Sequence, residues 1–499
     1  MNPVDLLLLR HIAAGRGDRT SLVDRAGTMT YTELAEAASE YAGTLAAGGI
    51  RPGARALVVS DDTADAVVAV LGLWWHGCVP VVLGPMLRDA ELAFIARDCA
   101  AEYADLDLSR ERRDALSAAL GPVALRHELR DSAAEFVEPG APAAFAEGSE
   151  VLVQYTSGST GRPRGVRHSM SGIRAVLTGF GGVLALTEAD TVLSTAKLSF
   201  GYGFGNSLLF PLAAGACSAL LAGPVDAFTV ITAIHRYRPT VLCAVPRVYE
   251  SLLSAVATRG AAPDTSRVRL AVAAGEHLPA DLARRATEGF GFPLVNGFGA
   301  TEVLHIVLAT AAGAPPRDST GVPVSGVTAT VRDDHGRPVP TGTHGRLHIV
   351  SASAALGYID RPEAQAGTFA DGGVYPGDVV YRTPDGDFRH VCRTDDLLNI
   401  GGHKVAPAEI EALLKATDGI ADCAVVADRD PAGLQQAVAY VVSLPGAAPE
   451  EVRRSALRAI RDGLPPHRRP SRIEPIDTLP TTSTGKLARH RLRTPEEAR

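Results

Sequence analysis

Short apolar runs alternate with helical stretches through most of this 499-residue chain, and that alternation restricts the fold more than any other feature. VLVQYT, TVLSTA, CSALLA, TVLCAV and RLAVAAG read as strands, and DAFTVITAIHRY and RVYESLLSAVATRG lie between them as helices. Strands alternating with helices predict α/β layers with parallel pairing. Near the N-terminus, Thr-Tyr-Thr-Glu from Thr30 has the spacing of a capping box and runs into the helical pattern LAEAASEYAGTLAAGG. The longest apolar run, AVVAVLGLWWHGCVPVVLG from Ala66 to Gly84, approaches the length of a membrane span. His76, Gly77 and Pro80 interrupt it, so it is expected to be a buried helix, a turn and a buried strand. No transmembrane segment is expected, and the N-terminus lacks the basic start and cleavage site of an export signal.

From about Thr328 the pattern changes. TATVRD, GRLHIVS, DVVYRT and FRHVCR are short and alternating, with turn signals between them, and predict an antiparallel section or a distorted β-barrel. After Arg393 come a helix (AEIEALLKA), two strands (DCAVVADRD and QAVAYVVSL) and another helix (EVRRSALRAIRDGL), a compact α+β unit. The expected division is a large multi-sheet N-terminal domain over 1–394 and a small C-terminal lid domain over 395–499. Residues 131–149 read as an exposed connection. The net charge of -7 argues against a nucleic-acid partner. The six cysteines are scattered without a CxxC pair, which predicts reduced, mostly buried thiols in a cytoplasmic protein.

One loop carries an unusual density of small polar residues: QYTSGSTGRPRGVRHS, Gln154 to Ser169. It follows the apolar strand VLVQY directly. Gly158, Gly161 and Gly165 let backbone N–H groups converge. The hydroxyls of Thr156, Ser157, Ser159 and Thr160 add donors, and Arg162, Arg164 and Arg167 add positive charge. Such a loop suits a polyphosphate. Its spacing is not that of GxxxxGK[ST], and on its own it fits a linker equally well.

Five segments, in order, resemble the motifs of the adenylate-forming superfamily, which includes acyl- and aryl-CoA ligases, nonribosomal adenylation domains and luciferases. They are YTSGSTGRPRGV, NGFGATE (Asn296 to Glu302), VYPGDVVYR (Val374 to Arg382), CRTDDLLNIGGHKVAPAEIE (Cys392 to Glu411) and LPTTSTGK (Leu479 to Lys486). KLSFGYGFGNSLLFPLAAGA, AVPRVYESLL, AAGEHLP and GATEVLHI resemble the benzoate-CoA-ligase branch in particular.

The resemblance implies Mg²⁺- and ATP-dependent adenylation of a small aromatic carboxylic acid, release of pyrophosphate, and transfer of the acyl group to CoA. It implies that Thr156, Ser157, Gly158, Ser159, Thr160 and Gly161, with Arg164, hold the β- and γ-phosphates. Thr301 would touch the α-phosphate and Glu302 would ligate Mg²⁺. Gly275, Glu276, Asn296, Gly297, Phe298 and Gly299 would border the adenine, with Phe298 stacking on it. Asp378 would accept hydrogen bonds from the ribose, supported by Arg393. Lys486 would be the catalytic lysine, supplying charge between the carboxylate and the α-phosphate. Asp395 would be the hinge about which the small domain rotates after adenylation, bringing Gly401 and Gly402 to a thiol tunnel. The acid pocket would be formed by Tyr202, Phe204, Asn206, Ala273, Ala274, Gly299 and His305, and a homodimer is compatible with such an enzyme.

Four positions depart from the family pattern: Arg164 stands where a lysine is usual, Cys392 for a glycine, Asn399 for a lysine and Arg346 for a glutamate. None belongs to the core set of Thr301, Glu302, Asp378, Arg393 and Lys486. Cys392 and Asn399 flank the hinge, so they bear on the second half-reaction. Three alternatives therefore stay open: loading of a carrier protein, an ATP-dependent diazotase that adenylates nitrite and passes it to an aromatic amine, and an inactive binding homologue.

Overall fold

The computed structural model describes residues 1–131, 137–138, 140–157, 163–260, 262–400, 403–429, 435–480, 487 and 489–492. The chain divides into two compact units. The first comprises Met1–Thr330, His348–Pro376 and Thr383–Arg389; the second comprises Val331–Leu347, Gly377–Arg382 and His390–Arg499.

Two twisted sheets organise the first unit. A nine-stranded sheet has the order 322–323, 306–309, 294–299, 270–274, 241–244, 191–194, 217–219, 20–23, 28–30. A seven-stranded sheet has the order 357–358, 163–169, 150–157, 79–83, 55–59, 103–106, 124–125. In both sheets the central strands pair in parallel, as the alternation required, while 306–309 and 163–169 pair antiparallel with their neighbours. Ala56 and Val58 of one sheet and Val272 and Ala274 of the other share a core with the helices Tyr31–Ala47, Ala64–His76 and Met170–Leu184. Further helices cover both outer faces, so the layers run helix, sheet, helix, sheet, helix.

Local chemistry sets the element ends. Thr30 and Glu33 form the reciprocal capping box. The apolar run from Ala66 resolves into a helix closing at His76, Gly77 at φ +90°, and the buried strand Val79–Leu83. A left-handed glycine stops the helix without a Cβ clash. Among the described residues no helix is long and apolar enough to cross a membrane. All six cysteines are free and five are buried.

The region after Thr328 differs from expectation in one respect. Its short strands form a six-stranded sheet with two free ends, the strands Phe369–Ala370 and Phe388–Arg393, rather than a closed barrel. The outer strand Phe369–Ala370 is only two residues long, too short to support closure.

In the second unit, the strands Ile420–Arg429, Gln435–Ser443 and Arg472–Pro475 form a three-stranded sheet. Ile420, Cys423 and Val425 face the helices Pro407–Lys415 and Pro449–Gly463. Ala424 and Val426, on the opposite face, meet Leu479, Leu487 and Leu492.

Candidate active site

Three adjacent parallel strands of the nine-stranded sheet end at the same edge, with Ala244 opposite Ala273, Ala273 opposite Asn296 and Ala274 opposite Gly297. Ligands of open α/β sheets bind outside the carboxyl ends of the strands. Gly275 (φ +87°) and Glu276 leave the middle strand there, and the Asn296–Gly299 run ends the next one. The chain then makes a 3-10 turn, Thr301–Val303, and returns antiparallel as Ile306–Ala309. The N-cap of the turn is Ala300, so Thr301 is its first residue and not its cap. Asn296 is buried and donates to the Ser319 carbonyl at 2.7 Å, which fixes the strand end. Phe298 is half-buried and Gly299 exposed.

Most of the stretch quoted above lies in two paired strands. Strand Glu150–Ser157 pairs antiparallel with Pro163–Ser169, Thr156 lies opposite Arg164, and Ser157 lies opposite Pro163. A five-residue connection between paired strands is not a linker. Gly158, Ser159, Thr160 and Gly161 lie outside the described residues. Arg167 proves to be engaged elsewhere: it and Arg55 both pair with Glu150, at 2.5 and 2.6 Å. It therefore neutralises a carboxylate below the loop rather than adding charge to it.

Tyr358 joins this hairpin to the Thr301–Val303 turn. Strand Gly357–Tyr358 pairs with Arg167 and Val166, and the Tyr358 hydroxyl donates to Oε1 of Glu302 at 2.6 Å. The Arg164 guanidinium lies 5.9 Å from the centre of the Tyr358 ring. Burial, then the charge of Glu302, raises the Tyr358 pKa, so the phenol remains a donor. The sequence reading missed Tyr358, which sits in the largely apolar run AALGYI, Ala354 to Ile359, without a motif of its own.

Tyr202 and His305 meet on the inner face of the same sheet. The Tyr202 hydroxyl donates to the Val272 carbonyl at 3.0 Å, bridging toward Ala244 at 3.4 Å. Tyr202 lies in a helix that contains a π-turn: Gly201–Phe204, Gly205–Leu209 and Phe210–Ala214 are continuous. His305 is boxed in by Tyr202, Phe180 and Phe210, with ring centres 5.7, 5.2 and 4.7 Å away. Burial pushes the His305 pKa down to about 3, so the imidazole is neutral. Gly205 makes the approach feasible, because a Cβ there would stand 2.4 Å from the imidazole Cδ2. Asn206 is fully buried on the same helix, and neither its amide oxygen nor its amide nitrogen makes a hydrogen bond of ordinary geometry.

Two expected pocket residues face elsewhere. Phe204 is fully buried and packs edge-on against Trp74 in the core, 5.9 Å between ring centres. Ala273 and Ala274 are consecutive in a strand, so they project to opposite faces. Ala274 joins the core that Tyr202 packs against, and Ala273 joins the outer one.

In the second unit Asp378 is buried between two donors: Arg393 at 2.7 Å and His390 at 2.8 Å. Gly377, at φ +85°, permits this, since a Cβ there would come within 3.0 Å of the Arg393 guanidinium. His390 is a second residue that the sequence did not indicate. Cys392 is buried, which pushes its thiol up to about 12 and leaves it inert. Asp395 lies exposed in the 3-10 turn Thr394–Asp396. Gly401, Gly402 and Lys486 lie outside the described residues.

The layered α/β unit thus carries a Thr-Glu turn at its strand ends, and the second unit a buried Asp-Arg-His group. The chain matches the AMP-binding enzyme family over residues 9–359 and the AMP-binding enzyme C-terminal domain over 409–486, and it belongs to that family. It is an ATP-dependent, adenylate-forming enzyme. It is 34% identical to the benzoate–CoA ligase of Thauera aromatica, over 99% of this chain and 95% of that one. The structure of a benzoate CoA ligase from Burkholderia xenovorans superposes with a TM-score of 0.88 at 32% identity, covering 99% of this chain and all of that one. An anthranilate CoA ligase in complex with anthranoyl-AMP superposes with a TM-score of 0.89 at 29% identity, covering 99% and 96%.

Proposed function

We propose that this enzyme activates a small aromatic carboxylic acid with Mg·ATP and passes the acyl group to CoA. The observation that carries the reading is the neutral, aromatic-walled His305 beside Tyr202, with His305 in the same connection, between strands 294–299 and 306–309, as Thr301 and Glu302. An uncharged apolar wall with few polar groups suits a flat ring. Relatives named for benzoate and anthranilate support that class of acid.

The acid's carboxylate oxygen attacks the α-phosphorus of ATP. The bond to the pyrophosphate oxygen breaks, and an acyl-adenylate remains. The barrier is mainly repulsion between anions, so alignment and positive charge are what the protein must provide. In this reading the hairpin loop with Arg164 holds the terminal phosphates, and Thr301 donates to the α-phosphate. Asp378, backed by Arg393 and His390, accepts from the ribose hydroxyls, and Lys486 brings charge to the reacting oxygens.

Glu302 suits a magnesium site. Among the described residues, no group of three or more His, Cys, Asp or Glu could hold a metal ion. Magnesium in phosphate chemistry takes one or two carboxylates and fills its remaining positions with phosphate oxygens and water. A half-exposed carboxylate with one oxygen held by Tyr358 meets that demand. The bound ion would neutralise phosphate charge. In the second step the CoA sulfur attacks the acyl carbon, and AMP leaves with the bonding electrons.

The test is pyrophosphate release from Mg·ATP with benzoate, hydroxybenzoates, anthranilate, cinnamate, short fatty acids and nitrite, each with and without CoA. Turnover on an aryl acid that rises with CoA is expected. Turnover on nitrite, indifferent to CoA and stimulated by an aromatic amine, would replace this reading with diazotase chemistry. Aryl-acid turnover indifferent to CoA would leave adenylation standing and require another acceptor.

A further inference from the structure

The second unit contains a buried ion pair to which the proposed reaction above gives no role. Glu411, on the helix Pro407–Lys415, is nine-tenths buried. Arg489 donates to both of its carboxylate oxygens, through Nη1 to Oε1 and through Nη2 to Oε2 at 3.0 Å. The same carboxylate accepts the Val425 N–H at 2.7 Å, and Arg489 Nη1 donates to the Val425 carbonyl at 2.9 Å. Val425 lies on Ile420–Arg429, the edge strand of the three-stranded sheet. An edge strand exposes unpaired N–H and C=O groups. Here the Glu411–Arg489 pair satisfies both, in the place another strand would take. Arg489 Nε also lies 3.9 Å from Asp396, next to Asp395. Burial opposes the charge on Arg489, but the pairing with Glu411 outweighs it and raises its pKa.

Described residues on either side of Lys486 pack on the same sheet. Leu479, Leu487 and Leu492 pack against Ala424, Val426 and Tyr440. Leu487 adjoins Lys486 and Arg489 is three residues beyond it, a span of at most about 10 Å of extended chain. A long, flexible lysine is useful only if its backbone is held, since a misplacement of about 1 Å can cost on the order of 100-fold in rate.

We infer that Arg489, clamped by Glu411 and the Val425 peptide, is the positioning residue for Lys486 and so a determinant of the adenylation step. The inference rests on the reading of Lys486 given above. Lysine at position 489 would keep the charge and lose the two-pronged geometry. Methionine at 489 alone would leave Glu411 buried without its cation, so it is paired with Glu411→Leu, which removes both charges together.

The experiment separates the half-reactions in the full-length enzyme. Pyrophosphate release is measured with Mg·ATP and whichever of benzoate, hydroxybenzoate or anthranilate the wild type turns over. Thioester formation is measured from the matching preformed aryl-adenylate and CoA. Arg489→Lys, the double variant Arg489→Met with Glu411→Leu, and Lys486→Ala are compared. Both Arg489 variants are expected to lose adenylation kcat by on the order of 100-fold, with the KM for ATP and the thioester half-reaction unchanged. Equal loss of both half-reactions, together with a lowered melting temperature in both variants, would mean that the pair serves the fold only and would overturn the inference. Arg489 variants that adenylate normally beside an inactive Lys486→Ala would overturn the inference alone. A Lys486→Ala enzyme that adenylates normally would overturn the reading of Lys486 and the inference with it.

Discussion

Removing one oxygen atom, by Tyr358→Phe, tests whether the Thr301–Val303 turn is a magnesium site. In the structure the phenol donates to Oε1 of Glu302 at 2.6 Å, a length typical of a hydroxyl bonded to an ionised carboxylate. Hydrogen bonds to charged groups contribute roughly 1.5–3 kcal/mol net. Glu302 is half-exposed, so water can replace part of the lost bond, and the lower figure applies. About 1.5 kcal/mol corresponds to roughly tenfold in an equilibrium constant. Losses of 10–100-fold are usual when the partner that orients a metal ligand is removed. The expected result is a magnesium requirement for pyrophosphate release raised about tenfold, with the KM for the aryl acid unchanged. The assay is a magnesium titration at saturating ATP and acid, with the variant's melting temperature as a control. An unchanged magnesium midpoint would refute the reasoning, because an unoriented Glu302 would then serve as well as an oriented one. A shift in the acid KM alone would show that Tyr358 acts on the pocket instead.

Three other perturbations follow from the geometry. Gly205→Ala would drive a methyl group into His305 and Phe210, at 2.4 and 2.8 Å, in a box of aromatic rings with little room to yield. The expectation is a raised KM for the aryl acid and a loss of stability of about 1–3 kcal/mol, read by denaturant unfolding. Asp378→Ala removes a buried carboxylate that holds both Arg393 and His390. The KM for ATP should rise roughly 10–100-fold while the KM for the acid holds, as measured by initial rates. His305 and His168 are both buried, and burial pushes the pKa of each down to about 3 from 6.5. Between those values the unfolded chain binds more protons than the native one, so stability falls as pH drops below about 6.5, by about 1.4 kcal/mol per pH unit for each histidine. Replacing either histidine with glutamine should flatten that slope in urea titrations between pH 4 and 6.5, values set by the unfolded pKa.

The sequence alone was sufficient for the layered α/β architecture, because burial on both faces of a strand writes a continuous apolar run that helices must flank. The capping box at Thr30 and the break at Gly77 were legible for the same local reason, each depending on neighbours within four residues. The ordered motifs identified the chemistry, since backbone loops that handle phosphate need glycine and hydroxyl residues at fixed spacings. What the sequence could not contain was direction. Phe204 and Tyr202 are two residues apart in one glycine-rich run, and the helix turns one toward Trp74 and the other toward His305. Ala273 and Ala274 look identical in sequence and face opposite sides of the sheet. Arg167 reads as a loop cation and is held by Glu150, its near neighbour across the hairpin. Tyr358, His390 and the Glu411–Arg489 clamp reach their partners over separations of 56, 12 and 78 residues. Such pairings depend on which faces and strand edges the packed chain brings together, and no local pattern records that, so tertiary structure alone decided them.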